Sequence, residues 1–138
     1  MRLILLIPPL LLTACAASPA EIEQAAAVQS ETAARLEQEF AGLTAGQPTN
    51  CLPEAARTQV QSRVYGPTIV FAVSRDVKYR NEASGACGRA GGPLRDVLVT
   101  QTPNARLCRG DIVRTVDPVS GITSGSCALG DFTPYRRP

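Results

Sequence analysis

The chain has 138 residues, 44% of them apolar and 19% charged, with a formal net charge of +2; such a composition fits a globular protein with room for one domain. Histidine is absent, which excludes histidine general bases, histidine-assisted nucleophiles and histidine metal ligands. Tryptophan is absent and aromatics make up 4% of the chain, which argues against a stacking platform, and without a basic run or a nucleic-acid motif no nucleic-acid partner is expected.

Residues 1–14 have the layout of an export signal: Arg2, an apolar run from Leu3 to Leu12, then the small pair Thr13-Ala14. The run is shorter than the roughly 20 residues that span a bilayer and is broken by Pro8-Pro9, so a transmembrane anchor is not expected. Leu12-Thr13-Ala14-Cys15 resembles the lipobox of bacterial lipoproteins, where a signal peptidase cuts before a cysteine whose sulfur already carries a diacylglyceryl group. The resemblance implies a lipid on Cys15 and a membrane reached through that N-terminal lipid, held by about 0.8 kcal/mol per buried methylene. Ala16, where an aspartate would signal inner-membrane retention, implies the outer membrane, facing the periplasm.

Residues 15–50 read as the lipidated cysteine, a helical spacer and a linker. Ser18-Pro19-Ala20-Glu21 is a capping-box start with proline in the first turn, alanine-rich sequence runs on to Phe40-Ala41, and Gly42 can end the helix. Its apolar stripe is thin (Ile22, Ala25, Ala33, Leu36, Phe40, Leu43), so we expect an arm of about 30 Å, weakly docked, rather than a core helix. Thr44 to Asn50, with Gly46 and Pro48, reads as the linker. The arm is acidic, net −4 over residues 16–48, whereas the remainder is net +5 with eleven arginines among its twelve cations. That contrast makes an anionic envelope polymer a candidate partner beside an envelope protein.

Residues 51–138 change texture to short β-branched runs between turn residues. Strands are expected at Gln59 to Tyr65, Thr68 to Ser74, Val77 to Arg80, Asp96 to Gln101, Asp111 to Val116 and Ile122 to Cys127. Apolar residues on both alternating sets of the second strand predict cover on both its faces. The expected fold is mainly β: a small disulfide-stapled antiparallel barrel or sandwich preceded by the Ala/Glu-rich helix. With Cys15 assigned to lipid, Cys51, Cys87, Cys108 and Cys127 form an even set that reads as two disulfides in an exported domain. Three pairings are open; the leading expectation joins Cys51 to Cys127 and Cys87 to Cys108, clasping the domain's ends and pinning a glycine-rich loop to a strand.

No motif assigns chemistry. The cysteines lack CxxC spacing, so no metal site is expected. Gly85 to Gly92 lacks the lysine-serine ending of a phosphate loop, and nothing else calls for a cofactor. Arg109-Gly110-Asp111 reads as a turn into a strand rather than an adhesion tripeptide, and Ser124 lacks the glycine spacing of a nucleophile elbow. Asp76, Asp96, Asp111 and Asp131 could pair in space, but their spacing does not demand it, and no catalytic residue is assigned.

Asn50-Cys51-Leu52, Thr68-Ile69-Val70-Phe71, Tyr79-Arg80-Asn81, Leu107 to Ile112 and Cys127 to Pro134 together resemble an uncharacterised domain family of proteobacterial exported proteins and lipoproteins. The resemblance covers about residues 50–136 and implies a β-rich fold and an envelope location, with no known activity. The expected function is that of a membrane-anchored envelope lipoprotein acting as a non-enzymatic binding or structural module. An inhibitor of a secreted hydrolase using the segment Asn81 to Pro93, and a small histidine-free enzyme, are the alternatives.

Overall fold

The computed structural model describes residues 18–57, 60–87, 96–101 and 106–138. The signal, Cys15, the glycine-rich residues 88–92 and the Pro103-Asn104 turn lie outside them. Helix α1 (Pro19–Glu39) starts where the sequence predicts: the Ser18 hydroxyl accepts the Glu21 amide and the Glu21 carboxylate accepts the Ser18 amide. Gly42, at φ 73°, takes the left-handed conformation that lets the chain leave the helix.

The body is two antiparallel sheets. Strands β1 (Thr44–Ala45), β9 (Phe132–Arg136), β4 (Val77–Glu82), β3 (Thr68–Ala72) and β2 (Gln61–Tyr65) form one, in that order. The other runs β5 (Ser84–Gly85), β8 (Thr123–Ala128), β7 (Ile112–Val116) and β6 (Val97–Thr100). A four-residue helix, α2 (Glu54–Arg57), precedes β2. Among the described residues no strand joins β2 to β6, so the arrangement is sandwich-like and not a closed barrel.

The two sheets are one ribbon at their junction. β4 runs through Ala83 into β5, β8 runs through Leu129 to Asp131 into β9, and β4 pairs with β9 while β5 pairs with β8. At the bend the ladder is interrupted, and the fully buried Asn81 side chain replaces it. Its Nδ2 donates to the carbonyls of Gly130 (2.7 Å) and Asp131 (3.3 Å), while its Oδ1 accepts the Gly130 amide (2.9 Å). Gly130 is required there for space, because a Cβ would stand 2.3 Å from the Glu82 carbonyl oxygen. Behind the bend, Phe71 and Phe132 pack with ring centroids 5.5 Å apart at the centre of the core.

Strand β3 is covered on both faces as expected: Ile69 and Phe71 join the core, and Val70, on the opposite face, is equally buried between its cross-strand neighbours Arg63 and Arg80. Arginine stems are suited to cover an apolar residue in this way.

Three strands were not legible in the sequence. The segment read as a linker supplies β1 and, through Thr49, a bridge to Phe132. β5 is only two residues long. β9 contains Pro134, normally a sign against an interior strand. Here the Pro134 carbonyl accepts from Gly46, so the face of the residue that lacks an N–H points toward the short β1 side rather than into the β4 ladder.

The expected disulfide pairing is overturned: the bridges are Cys51–Cys108 and Cys87–Cys127. Cys51 and Cys108 face each other across an antiparallel bridge flanked by Leu52 N–H to Leu107 and Arg109 N–H to Asn50. Cys127 lies on β8 opposite Gly85, which brings it next to Cys87, not to the domain's start. Gly85, at φ 113°, has no room for a side chain, since a Cβ would sit 2.9 Å from the Ser126 carbonyl.

Peptide mapping under non-reducing conditions should recover these two linkages and not the reverse pairing, and removing either pair should cost about 2–4 kcal/mol. Asn81→Ala leaves buried backbone groups at the bend without partners and should cost about 2–4 kcal/mol in urea unfolding, with the denaturant slope unchanged.

Candidate functional site

A cleft of about 680 Å³ opens between β2, the start of β6 and the end of α1. Its lining includes Arg35 and Glu39 from the helix, Ser62 to Tyr65 from β2, and Asp96 to Leu98 at the start of β6.

One wall is an ion-pair hub. Glu39 ends the helix, at the negative pole of its dipole, and the last turn carries no basic residue to offset it. The sheet supplies the compensation. Lys78 Nζ donates to the Glu39 carboxylate (2.6 Å) and to its carbonyl, the Arg63 guanidinium reaches the carboxylate at 2.5 Å, and the Tyr65 hydroxyl donates to it at 2.7 Å. Burial pushes the Glu39 carboxyl up, but the hydrogen bonds from Lys78, Tyr65 and Arg63 and the Lys78 charge outweigh it and hold the group at about 2. Burial, then the bond to Glu39, pushes the Tyr65 hydroxyl up to about 12, so it remains a donor through the neutral range. Phe40 stacks on Tyr135 with centroids 4.2 Å apart. The arm is thus fastened at its last turn, and no residue of α1 itself is buried.

The other wall is a polar cluster under β6. Asp96, 7% exposed, accepts the Ser124 hydroxyl, and the Ser124 oxygen lies 2.8 Å from the hydroxyl of the fully buried Thr115. Gly125 keeps the backbone tight behind this group, because a Cβ would lie 2.0 Å from the Ala86 carbonyl oxygen. The arrangement presents a carboxylate fixed by a neutral hydroxyl, with no cationic partner among the described residues. Arg35 and Arg63, also in the lining, are already paired with Glu31 and Glu39.

The remaining residues singled out in the sequence are dispersed. Asp76 pairs with Arg137 at 2.9 Å, Asp131 lies 3.4 Å from Arg109, and Asp111 turns back to accept the Cys108 amide at 2.8 Å. The Arg109-Gly110-Asp111 turn therefore uses its carboxylate internally instead of presenting it. Among the described residues, no three cysteine or acidic side chains gather as a metal site. The segment expected to be an inhibitory loop is largely strand in its first part: Asn81 is buried at the bend, Ser84 and Gly85 form β5, and Cys87 is buried in its disulfide. Glu39, Arg63, Tyr65 and Lys78 had no signal in the sequence, because Glu39 lies 24 or more positions from each of its partners.

Glu39→Gln should speed amide exchange at the end of α1 and leave β3 and β4 unchanged. Because the carboxyl is depressed from 4.5 to about 2, its contribution to docking is complete above about pH 4.5 and disappears as pH falls through about 2. An acid titration following the Phe40 and Tyr135 ring resonances should show that release, which the Gln variant should lack.

Comparisons with protein-family models, with curated proteins and with solved structures find no match for this chain.

Proposed function

We propose that the protein is an envelope lipoprotein, attached through lipid on Cys15 to the outer membrane and facing the periplasm, whose β domain is a non-enzymatic binding module. The observation that carries this reading is the arm. Among the described residues, a helix of 21 residues none of which is fully buried is joined to the body only at its last turn, which suits a tether more than a part of a core. At 1.5 Å per residue it would hold the domain on the order of 30 Å from the lipidated end.

Two further features support the reading. The disulfides fit an oxidising, extracytoplasmic compartment. No described helix is long and apolar enough to cross a membrane, so attachment falls to the lipobox-like Leu12 to Cys15. The likeness of the cysteine blocks to an uncharacterised exported domain family belongs to the same proposal. The cleft beside the arm's root is the surface we assign to an envelope partner.

Cells fed a clickable palmitate analogue should label the protein and retain it in the outer-membrane fraction. Cys15→Ala should abolish the label and release the chain from membranes; an unlabelled wild-type protein, or a variant that stays membrane-bound, would remove the lipoprotein reading.

A further inference from the structure

We propose that the outer face of the five-stranded sheet carries a binding site for a dianionic phosphate group, held by Arg63, Arg75 and Lys78 in a hollow over Ala72, with Glu39 of the arm competing for two of the three cations. The site lies apart from the Asp96 wall of the cleft. It goes beyond the binding-module reading, since it needs neither lipid on Cys15 nor a protein partner.

The hollow follows from the register. Gln61, Ala72 and Lys78 stand opposite one another across β2, β3 and β4, so their side chains share one face. In the next row on that face the larger Val70 is fully buried between Arg63 and Arg80. At Ala72 the single methyl leaves the row unfilled between its long neighbours, and a space of about 270 Å³ remains. Its lining includes Arg63 and Lys78 from the strands and Ser74 and Arg75 from the turn between β3 and β4. The Ser74 oxygen accepts the Asp76 and Val77 amides, which leaves its hydrogen to donate.

Charge makes this hollow an anion site. Lys78 and Arg63 share the Glu39 carboxylate, at 2.6 and 2.5 Å, and Arg75 adds a third positive charge to the lining. All twelve Asp and Glu of the chain lie within the described residues, and none of them forms an ion pair with Arg75. The neighbouring carboxylates are spent elsewhere, Asp76 on Arg137 and Glu82 on Arg80. Three cations thus meet one carboxylate, and although the helix end adds about half a negative charge, the hollow stays net positive. Donors are in excess as well, because Glu39 takes one N–H of Arg63 and two of Lys78 and leaves most of the Arg63 guanidinium unused by the arm.

A phosphate dianion answers both surpluses. Its oxygens accept from guanidinium forks in pairs, and its second charge, which a carboxylate lacks, balances the remaining cation. Free phosphate and the phosphomonoester headgroup of a lipid share this chemistry. Glu39 draws Arg63 and Lys78 toward the helix end, whereas a bound phosphate draws them toward the hollow.

The test uses the purified full chain in detergent, at fixed ionic strength and about pH 8, where phosphate is dianionic. Inorganic phosphate and dihexanoyl phosphatidic acid are the probes and acetate the monoanionic control, followed through the arginine Nε–H and Arg75 amide resonances. Saturable shifts at Arg63 and Arg75 are expected with phosphate, and affinity at least about tenfold lower for acetate. Phosphatidic acid binding at least about tenfold tighter than phosphate would support the site with a lipid headgroup as its source; parity would support it with free phosphate. Arg75→Gln should weaken phosphate binding at least about tenfold while amide exchange at the end of α1 stays native, because Glu39 is held by other residues. Ala72→Leu, which fills the hollow and keeps every cation, should abolish binding with native exchange in β4 and β9. Glu39→Gln should tighten phosphate binding by about threefold or more. Shifts that do not saturate, acetate bound as well as phosphate, or full affinity in Arg75→Gln would overturn the site. Unchanged or weaker binding in Glu39→Gln would overturn the competition with the arm. Arg75 is exposed, so its variant decides the matter even if Ala72→Leu fails to fold.

Discussion

The bend at Asn81 and Gly130 sets the architecture. A two-stranded ribbon that changes sheets must break its ladder where it turns, and buried backbone groups without partners cost about 1–3 kcal/mol each. Asn81 meets that demand with one primary amide, whose donor and acceptor sides imitate the backbone they replace. The absence of a Cβ at Gly130 lets the strands approach closely enough for those bonds to form. Because β4 with β5 and β8 with β9 are continuous through this point, the relative placement of both sheets follows from it.

The two disulfides secure the same geometry from opposite directions. Cys87–Cys127 holds β5 to β8 on the four-stranded side of the bend, and Cys51–Cys108 ties the entry segment to the turn that leads into β7. Their loops interleave, with separations of 40 and 57 residues, so each restricts a stretch of unfolded chain that the other leaves partly free. In a domain with a small aromatic core this constraint is a substantial part of what favours the folded chain.

With the sheets joined along one side by the ribbon, their other edges, β2 and β6, line the cleft. The end of the arm packs on the outer face of the five-stranded sheet, where Glu39 holds Arg63, Tyr65 and Lys78, and so borders the same cleft. Glu39 and Arg63 stand on one wall of that cleft and Asp96 on the other.

The sequence by itself determined the features that depend on near neighbours. Ser18 and Glu21 are one helical turn apart, so the capping box was legible, as was the arm's thin apolar stripe. The turn residues and short β-branched runs from Gln59 to Ser74 and from Asp111 to Cys127 marked strands and hence the mainly β class. Tertiary structure decided what depended on distant partners. Pro134 could occupy an interior strand only because Gly46 meets its carbonyl from the β1 side. The cysteine pairing followed from sheet register, which no spacing encodes. The Glu39 hub and the Asp96 cluster exist because the bend brings separated strands and a helix end to one cleft, and that proximity is a property of the folded topology, not of any local stretch of the chain.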